Sequence, residues 1–455
     1  MELKFVDKAL ETTTPRRIAQ IQLAKLKPIV ARAWKSNGFY REFWARHGAK
    51  PKAIASLDQF AAEIPIARKA DFIADQKTVP PYGQRLAGLR GAKRPHLVFT
   101  TSGTSGQGVE VHAQTHAERL RSYKVSDHLY RWGGLKRGDS VFLCYPITLL
   151  GGGRIEIYGI ESYGLTVFPV GNYDVERKLD LMERFKPDAV IATTSYLGHL
   201  AAVGAKRGKL HRPKALFGGG EGASYSWFEK QQELWGAPIY NHYGATQTRV
   251  DHIYPCERGI GTRAHPALLH NIAPWFILEV VDPATGKHVK DGERGEMVIT
   301  SLVHTDYPFI RHGMGDAAVY RESSFCPCGR PFSGVEIGTL ERMDDMKKLK
   351  GINVWPQSVD ESVFAHDGVD EYQVVLTRDD RAADVATVRV MPKPGVGPEQ
   401  ARTLCAAISS ELRRRIGLNF VVEPAAEGEV KHSEYKARRW SDRRDSPVRE
   451  TPAKS

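Results

Sequence analysis

From Thr100 to Gly108 the chain reads Thr-Thr-Ser-Gly-Thr-Ser-Gly-Gln-Gly, a run of hydroxyl side chains and glycines. Glycine lets successive backbone N–H groups converge on one point, and hydroxyls add donors around it, which suits the oxygens of a phosphate chain. The Lys-Ser/Thr ending of the common P-loop is absent, so this stretch alone is a candidate anion cradle or a surface hairpin. Further on stand Gly220-Glu221, the segment Tyr243-Gly244-Ala245-Thr246-Gln247, and Asp316 after a Gly. Then come Arg342 with Asp344 and Asp345, and Lys436 inside Ser433-Glu434-Tyr435-Lys436-Ala437-Arg438-Arg439. Singly, Asp316 reads as a turn residue, Arg342 as half of a surface ion pair of little worth, and Lys436 as solvated charge. A separate set is Cys256, Cys326 and Cys328, with His265 and His270 nearby. Thiolates and imidazoles are the ligands zinc prefers, although free cysteines are also often simply buried. Cys144 and Cys405 fall in apolar patterns and read as core.

The elements that must position these residues follow from hydrophobic periodicity. His96 to Phe99 and Val109 to His112 read as strands on either side of the hydroxyl-rich loop. From His116 onward helices and strands alternate: helix 119–132, strand 140–145, a Gly-rich turn and helix 151–163, strand 166–170, helix 176–185 and strand 189–193. Strand 215–217, helix 226–234 and strand 238–242 continue the pattern. Such alternation predicts parallel α/β sheet, with ligands at the carboxyl ends of the strands. Residues 15 to 47 read as two packed helices broken at Asn37-Gly38. From Trp275 the texture changes to strand-like runs joined by Asp282-Pro283-Ala284-Thr285-Gly286, which predicts an antiparallel section. The expected domains are 1–341 and a smaller α+β domain, 342–455.

Composition narrows the class. The 455 residues are 41% hydrophobic and 26% charged, as in an ordinary globular protein with more than one core. No run reaches the length of a membrane span, and Met-Glu-Leu-Lys lacks a signal peptide's apolar core, so the expectation is a cytoplasmic protein with no membrane partner. A formal charge of +12 favours anionic partners, which include nucleotides and coenzyme A. No basic low-complexity arm supports nucleic acid. The oligomeric state stays open, a homodimer included.

The order of these motifs resembles the adenylate-forming superfamily of acyl-CoA synthetases, adenylation domains and luciferases, and within it the phenylacetate-CoA ligase branch. The branch is suggested by Asn37-Gly38-Phe39-Tyr40-Arg41-Glu42, by Cys326-Pro327-Cys328-Gly329-Arg330 and by the ending Ser-Glu-x-Lys-Ala-x-Arg. The resemblance implies an α/β fold with a large N-terminal domain of parallel α/β sheet plus an antiparallel section, and a small mobile α+β C-terminal domain. It implies ATP-dependent activation of a carboxylic acid, an aromatic one by branch, through an acyl-adenylate, then transfer to coenzyme A with release of AMP. Transfer to an amine or a carrier-protein thiol, or a catalytically idle nucleotide-binding homologue, are the alternatives.

The implied roles run as follows. Thr101, Ser102, Gly103, Thr104, Ser105 and Gly106 would hold ATP's outer phosphates. Gly220, Glu221, Tyr243 and Gly244 would frame the adenine, and Asp316 and Arg342 would meet the ribose. Thr246 and Gln247 would join Lys436 as catalytic groups, with Asp344 as the hinge. Tyr145, Pro146, Ile147, Gly151 and Gly152 would line the acid pocket, the small glycines admitting a flat ring. Several members of the branch carry a structural zinc on three cysteines and one histidine, which implies Cys256, Cys326, Cys328 and, by alignment of the following strand, His270. Three departures stand out: Val109 replaces the loop's usual terminal lysine, Tyr435 replaces the glycine before Lys436, and Gln247 replaces the glutamate that usually helps to hold Mg²⁺. An amide oxygen is a weaker ligand for that hard cation than a carboxylate. If ATP oxygens and loop hydroxyls hold the metal, Gln247→Glu is expected to be tolerated.

Overall fold

The alternating segment builds a five-stranded, wholly parallel sheet in the order Thr166–Pro169, Ser140–Leu143, Ala189–Thr193, Ala215–Gly219, Ile239–Asn241. Ala189–Thr193 and Ala215–Gly219 are buried at every residue, as expected of parallel strands covered on both faces. Helices Gly151–Tyr163, Val175–Phe185, Thr194–Lys206 and Tyr225–Trp235 make the crossovers. The computed structural model describes residues 3–51, 54–101, 108–350, 352–379, 383–426, 428–430, 432 and 439–444. These fall into two compact units, Met1–Asp344 and Asp345–Ser455.

Two departures from periodicity have local causes. The expected 119–132 helix is three pieces, His116–Ser122, a 3₁₀ turn Tyr123–Val125, and Asp127–Trp132. Its start is fixed earlier by a capping box, in which Thr115 Oγ1 accepts from the Glu118 N–H and Glu118 Oε2 accepts from the Thr115 N–H. The tightened turn sets Tyr123 where its hydroxyl accepts from Gln114 Nε2 at 2.9 Å. Helix Thr194–Lys206 was not expected, because Gly198 and Gly204 interrupt its apolar face.

The N-terminal helices are Pro15–Ser36 and Gly38–Arg46, split at Asn37, whose Oδ1 accepts from the Tyr40 N–H and restarts the helix. Phe39, Tyr40, Phe43 and Trp44 then pack with Phe72 and Ile310 in one core. From Ile253 onward seven strands, joined by the early Ala67–Arg68, build an eight-stranded, mostly antiparallel sheet. Its strand His312–Arg321 pairs with Arg294–Ser301 on one side and with the short Glu341–Arg342 on the other, which sets Asp316 opposite Arg342. The hydroxyl-rich loop rises from a separate hairpin, His96–Thr100 with Val111–Thr115.

The second unit is α+β. A four-stranded sheet in the order Val421–Pro424, Asp384–Pro392, Val369–Arg378, Trp440–Asp442 carries helices Pro356–Phe364 and Pro398–Ile416. Arg439 holds the last strand in place, its guanidinium donating to both Glu371 oxygens at 2.7 and 2.9 Å. The fold is therefore the α/β architecture, with its antiparallel section and small α+β unit, that the sequence implied.

Candidate active site

Strand Ile239–Asn241 ends at the carboxyl edge of the parallel sheet and delivers Tyr243. The Tyr243 hydroxyl donates to Asp316 Oδ2 at 2.8 Å, and Asp316 Oδ1 lies 3.3 Å from Arg342 Nη1. Burial, then the Asp316 carboxylate, pushes the Tyr243 phenol well above its ordinary range, so it stays protonated and donates. A ring, a fixed carboxylate and a half-exposed guanidinium thus share one edge. Such a set suits a nucleoside: a base can lie against the ring while ribose hydroxyls donate to the carboxylate. Glu221 lies at the neighbouring strand end, and its carboxylate accepts from Ser195 N at 2.7 Å and Ser195 Oγ at 2.5 Å. That carboxylate is committed to the first turn of helix Thr194–Lys206.

The segment after Tyr243 is a closed loop. Tyr243 N donates to Ile253 O at 2.9 Å, and Ile253 N donates back at 3.2 Å. At Gly244 a Cβ would lie 1.7 Å from Asp251 Oδ1, so only glycine fits there. Arg249, at φ +59° and fully buried, donates from Nη1 to the Ala113 and Tyr307 carbonyls. Within this frame Thr246 Oγ1 accepts from Gly151 N at 3.4 Å, and Gln247 Nε2 donates to Glu110 Oε2 at 2.9 Å. Glu110 belongs to the stalk of the hydroxyl-rich loop, where Thr101 N donates to its carbonyl and Thr101 Oγ1 accepts from its N–H, both at 3.0 Å. Thr101 and Glu110 therefore close the loop's base. Ser102, Gly103, Thr104, Ser105 and Gly106 lie outside the described residues, as does Lys436.

The residues read as an acid pocket gather beside Thr246. Tyr145 is buried and donates from its hydroxyl to the Ala192 carbonyl at 3.0 Å, and Leu149 O accepts from Thr100 N at 2.9 Å. Two of the three glycines also have a packing reason. A Cβ on Gly153 would sit 2.3 Å from Pro146 O, and one on Gly151 would sit 3.2 Å from Thr246 Oγ1. They let the helix approach the 145–147 segment and the Thr246 loop. Gly152 alone has ordinary space, with the nearest atom of Tyr145 at 3.7 Å. Ile147 is partly exposed beside them.

Beneath this wall lies a cluster that motif reading missed. His242 Nε2 stands 3.2 Å from Asp251 Oδ2 and 3.5 Å from Glu156 Oε1, while Tyr130 donates to Glu156 Oε2 at 3.0 Å. Burial opposes charge on His242, but Asp251 and Glu156 together outweigh it and raise the imidazole to about 10. Burial raises Glu156 to about 7. The signal was present: Glu156 is a charged residue on the buried stripe of helix Gly151–Tyr163.

A second cluster joins three segments of the antiparallel region. Cys256, His270, Cys326 and Cys328 have ligand atoms all within 4.8 Å of one another. Cys256 and Cys326 Sγ are 3.7 Å apart, and Cys328 Sγ is 3.4 Å from His270 Nε2. Tetrahedral zinc with bonds of about 2.3 Å would separate two thiolates by about 3.8 Å. His270 Nδ1 pairs with the Phe332 carbonyl at 2.8 Å, which aims Nε2 at the thiols, as metal-bound imidazoles are usually held. His265 is not among these ligands. The donor set and spacing fit zinc.

The chain matches the family described as AMP-binding enzyme over residues 45–303, and the AMP-binding enzyme C-terminal domain over residues 351–444. It is 27% identical to a phenylacetate-coenzyme A ligase of Pseudomonas putida, over 96% of each chain. It is 29% identical to the phenylacetate-coenzyme A ligase of Thermus thermophilus, over 81% of this chain and 80% of the relative. Among solved structures it superposes on 2-hydroxyisobutyryl-CoA ligase in complex with its acyl-AMP, with a TM-score of 0.87 and 26% identity, over 97% of this chain and 94% of the other. The same ligase has also been solved with that acyl-AMP and CoA. The chain belongs to the AMP-binding enzyme family.

Proposed function

We propose, from that membership, that this protein is an AMP-forming acid–CoA ligase. The acid's carboxylate oxygen attacks the α-phosphorus of ATP, the bond to the β-phosphate breaks, and pyrophosphate leaves with its electron pair. The sulfur of coenzyme A then attacks the acyl carbon, a C–S bond forms, and AMP departs as the thiol proton is released. The observation that carries this reading is the Tyr243–Asp316–Arg342 set, a nucleoside edge built from three separate elements.

On this reading Tyr243 and the backbone at Gly220, Glu221 and Gly244 frame the adenine, and Asp316 with Arg342 holds the ribose. Loop residues Thr101 to Gly106 hold the outer phosphates, and Thr246 faces the reacting carboxylate. Lys436, a compact cation, neutralises charge gathering at the α-phosphate. Mg²⁺, when bound, offsets phosphate charge; ATP oxygens and Gln247 would hold it. Zinc on Cys256, His270, Cys326 and Cys328 leaves no open position and supplies structure alone. The acid is aromatic by kinship with phenylacetate ligases of full-length overlap. A small hydroxy acid is the second reading, favoured by the close superposition on the hydroxyisobutyryl ligase. Asp344 is proposed as the hinge of a small domain beginning near residue 342.

The test is AMP release across a panel of aryl and 2-hydroxy acids, with and without coenzyme A. A CoA-dependent thioester with one class is expected; AMP release without coenzyme A consumption but with an added amine sinks the acceptor assignment. Lys436→Ala should slow acyl-adenylate formation about a hundredfold while sparing use of a supplied acyl-adenylate, because a preorganised charge acts only where charge develops. Equal slowing of both halves removes the lysine from its role.

A further inference from the structure

Position 247 carries an amide, and the structure places a carboxylate one hydrogen bond behind it. Glu110 is fully buried at the base of the hydroxyl-rich loop, 137 residues away in sequence. Its Oε2 accepts from Gln247 Nε2 at 2.9 Å, and its Oε1 accepts no hydrogen bond from the described residues. A carboxylate can only accept here, so the amide nitrogen must face Glu110 and the amide oxygen must face the other way. Gln247 is half-buried, and that oxygen takes no hydrogen bond from the described residues.

The surroundings leave Glu110's charge directed at this amide. His112 Nε2 and His312 Nε2 approach it at 3.8 and 3.9 Å, beyond hydrogen-bond reach. Burial, reinforced at His112 by Arg85 and Arg249, keeps that ring neutral; burial also lowers His312, to about 3, despite Glu110. The buried guanidinium of Arg85 donates to Val111 O, and that of Arg249 to the Ala113 and Tyr307 carbonyls, rather than to the carboxylate. An N–H donated to a carboxylate shifts electron density through the amide onto its oxygen, which becomes a better ligand for a hard cation.

We infer that Glu110 is a positioning residue for metal-bound ATP: through Gln247 it fixes the amide's orientation and supplies, from behind, the negative charge that position 247 lacks. The inference rests on the proposed adenylating reaction. It reverses the expectation that Gln247→Glu is tolerated, since that change would set two carboxylates against each other in a buried place. The charge can be moved between the two positions but not doubled.

The experiment compares wild type, Glu110→Gln, Gln247→Glu and the exchanged pair E110Q/Q247E, using the full chain. Mn²⁺ is titrated into each protein saturated with ATP and no acid, and bound metal is read by electron paramagnetic resonance. Glu110→Gln should weaken Mn²⁺ about tenfold, the usual cost of losing an outer partner of a metal ligand. The exchanged pair should return affinity to the wild-type range, and Gln247→Glu alone should lower the metal-free thermal midpoint where the exchanged pair does not. Unchanged Mn²⁺ affinity in Glu110→Gln, or an exchanged pair no better than Glu110→Gln, overturns the inference. If Glu110→Gln does not fold, the exchanged pair, which carries the same change at 110, still decides the matter. Wild-type protein that binds Mn²⁺ with ATP yet forms no acyl-adenylate with any acid would instead overturn the reaction; adenylation with indifferent metal affinity overturns only the relay.

Discussion

Two clusters in the larger unit are built from residues that ligate metals, and they solve opposite problems. Glu156, His242 and Asp251 bring two carboxylates and an imidazole within 4.8 Å, and Cys256, His270, Cys326 and Cys328 bring three thiols and an imidazole equally close. In the first, a proton on His242 offsets the charge of the carboxylates and Tyr130 donates to Glu156, although His242 Nδ1 finds no partner among the described residues. In the second, three thiols offer weak donors and weak acceptors, and among the described residues no carboxylate belongs to the cluster. Proximity of ligand-type residues therefore does not define a metal centre. What separates the two is whether the groups can neutralise one another with protons alone.

The sharpest way to break this contrast is at the thiols. Purified protein should hold close to one zinc per chain, and Cys328→Ser should lose it. Loss of a structural metal belongs among the few changes that cost more than about 4 kcal/mol, so the thermal midpoint should fall by roughly 5 °C or more. Substoichiometric zinc with freely titratable thiols would erase the distinction between the clusters.

The next effect is at the carboxylates. Asp251→Asn strips His242 of its nearer partner and should destabilise the unit by about 3 kcal/mol, the cost of breaking a buried ion pair. Zinc content should not change. A parallel fall in bound metal would mean that the His242 cluster holds some of it.

A smaller effect is the pH response. His242 has a folded value raised to about 10 from 6.5, so its contribution to stability is complete below about pH 6.5 and is lost as pH rises toward 10. Denaturant unfolding of wild type and His242→Gln should therefore show a stability gap that narrows between pH 7 and 10. A gap that widens over that range contradicts the imidazolium. The smallest effect belongs to the rim, where Arg342 and Asp344 are each about half exposed and 3.6 Å apart. Asp344→Asn should change stability by no more than about 0.5 kcal/mol, as is usual for exposed pairs.

The two clusters also mark what the sequence could disclose. Cys326 and Cys328 are one residue apart in the chain, and the family resemblance joined Cys256 and His270 to them. The parallel sheet was equally open to reading, since each buried strand is a short apolar run between amphipathic helices. Glu156, His242 and Asp251 come from three elements and belong to residue types that are common everywhere, so no spacing announces them. Glu110 was hidden for the same reason: its partner Gln247 lies across the fold, and the glycines and hydroxyls before it drew attention to the loop instead of its base. At Gly151 and Gly153 the close approach of the chain was invisible, because a sequence cannot distinguish room left for a ligand from room taken by the chain itself.

The loop from Tyr243 to Ile253 behaves as a cartridge. Its ends are pinned to each other, its middle is bolted by Arg249 to two carbonyls of the surrounding scaffold, and its underside is latched by Asp251 to His242. Ala245 closes a turn within that frame by accepting from the Thr248 and Arg249 N–H groups, and the Thr246 and Gln247 side chains project from it. An evolving lineage could therefore swap the side chain at 247 without re-engineering the mount, provided the wall it faces changes in step. At 247 that wall is Glu110, at the foot of the hydroxyl-rich loop.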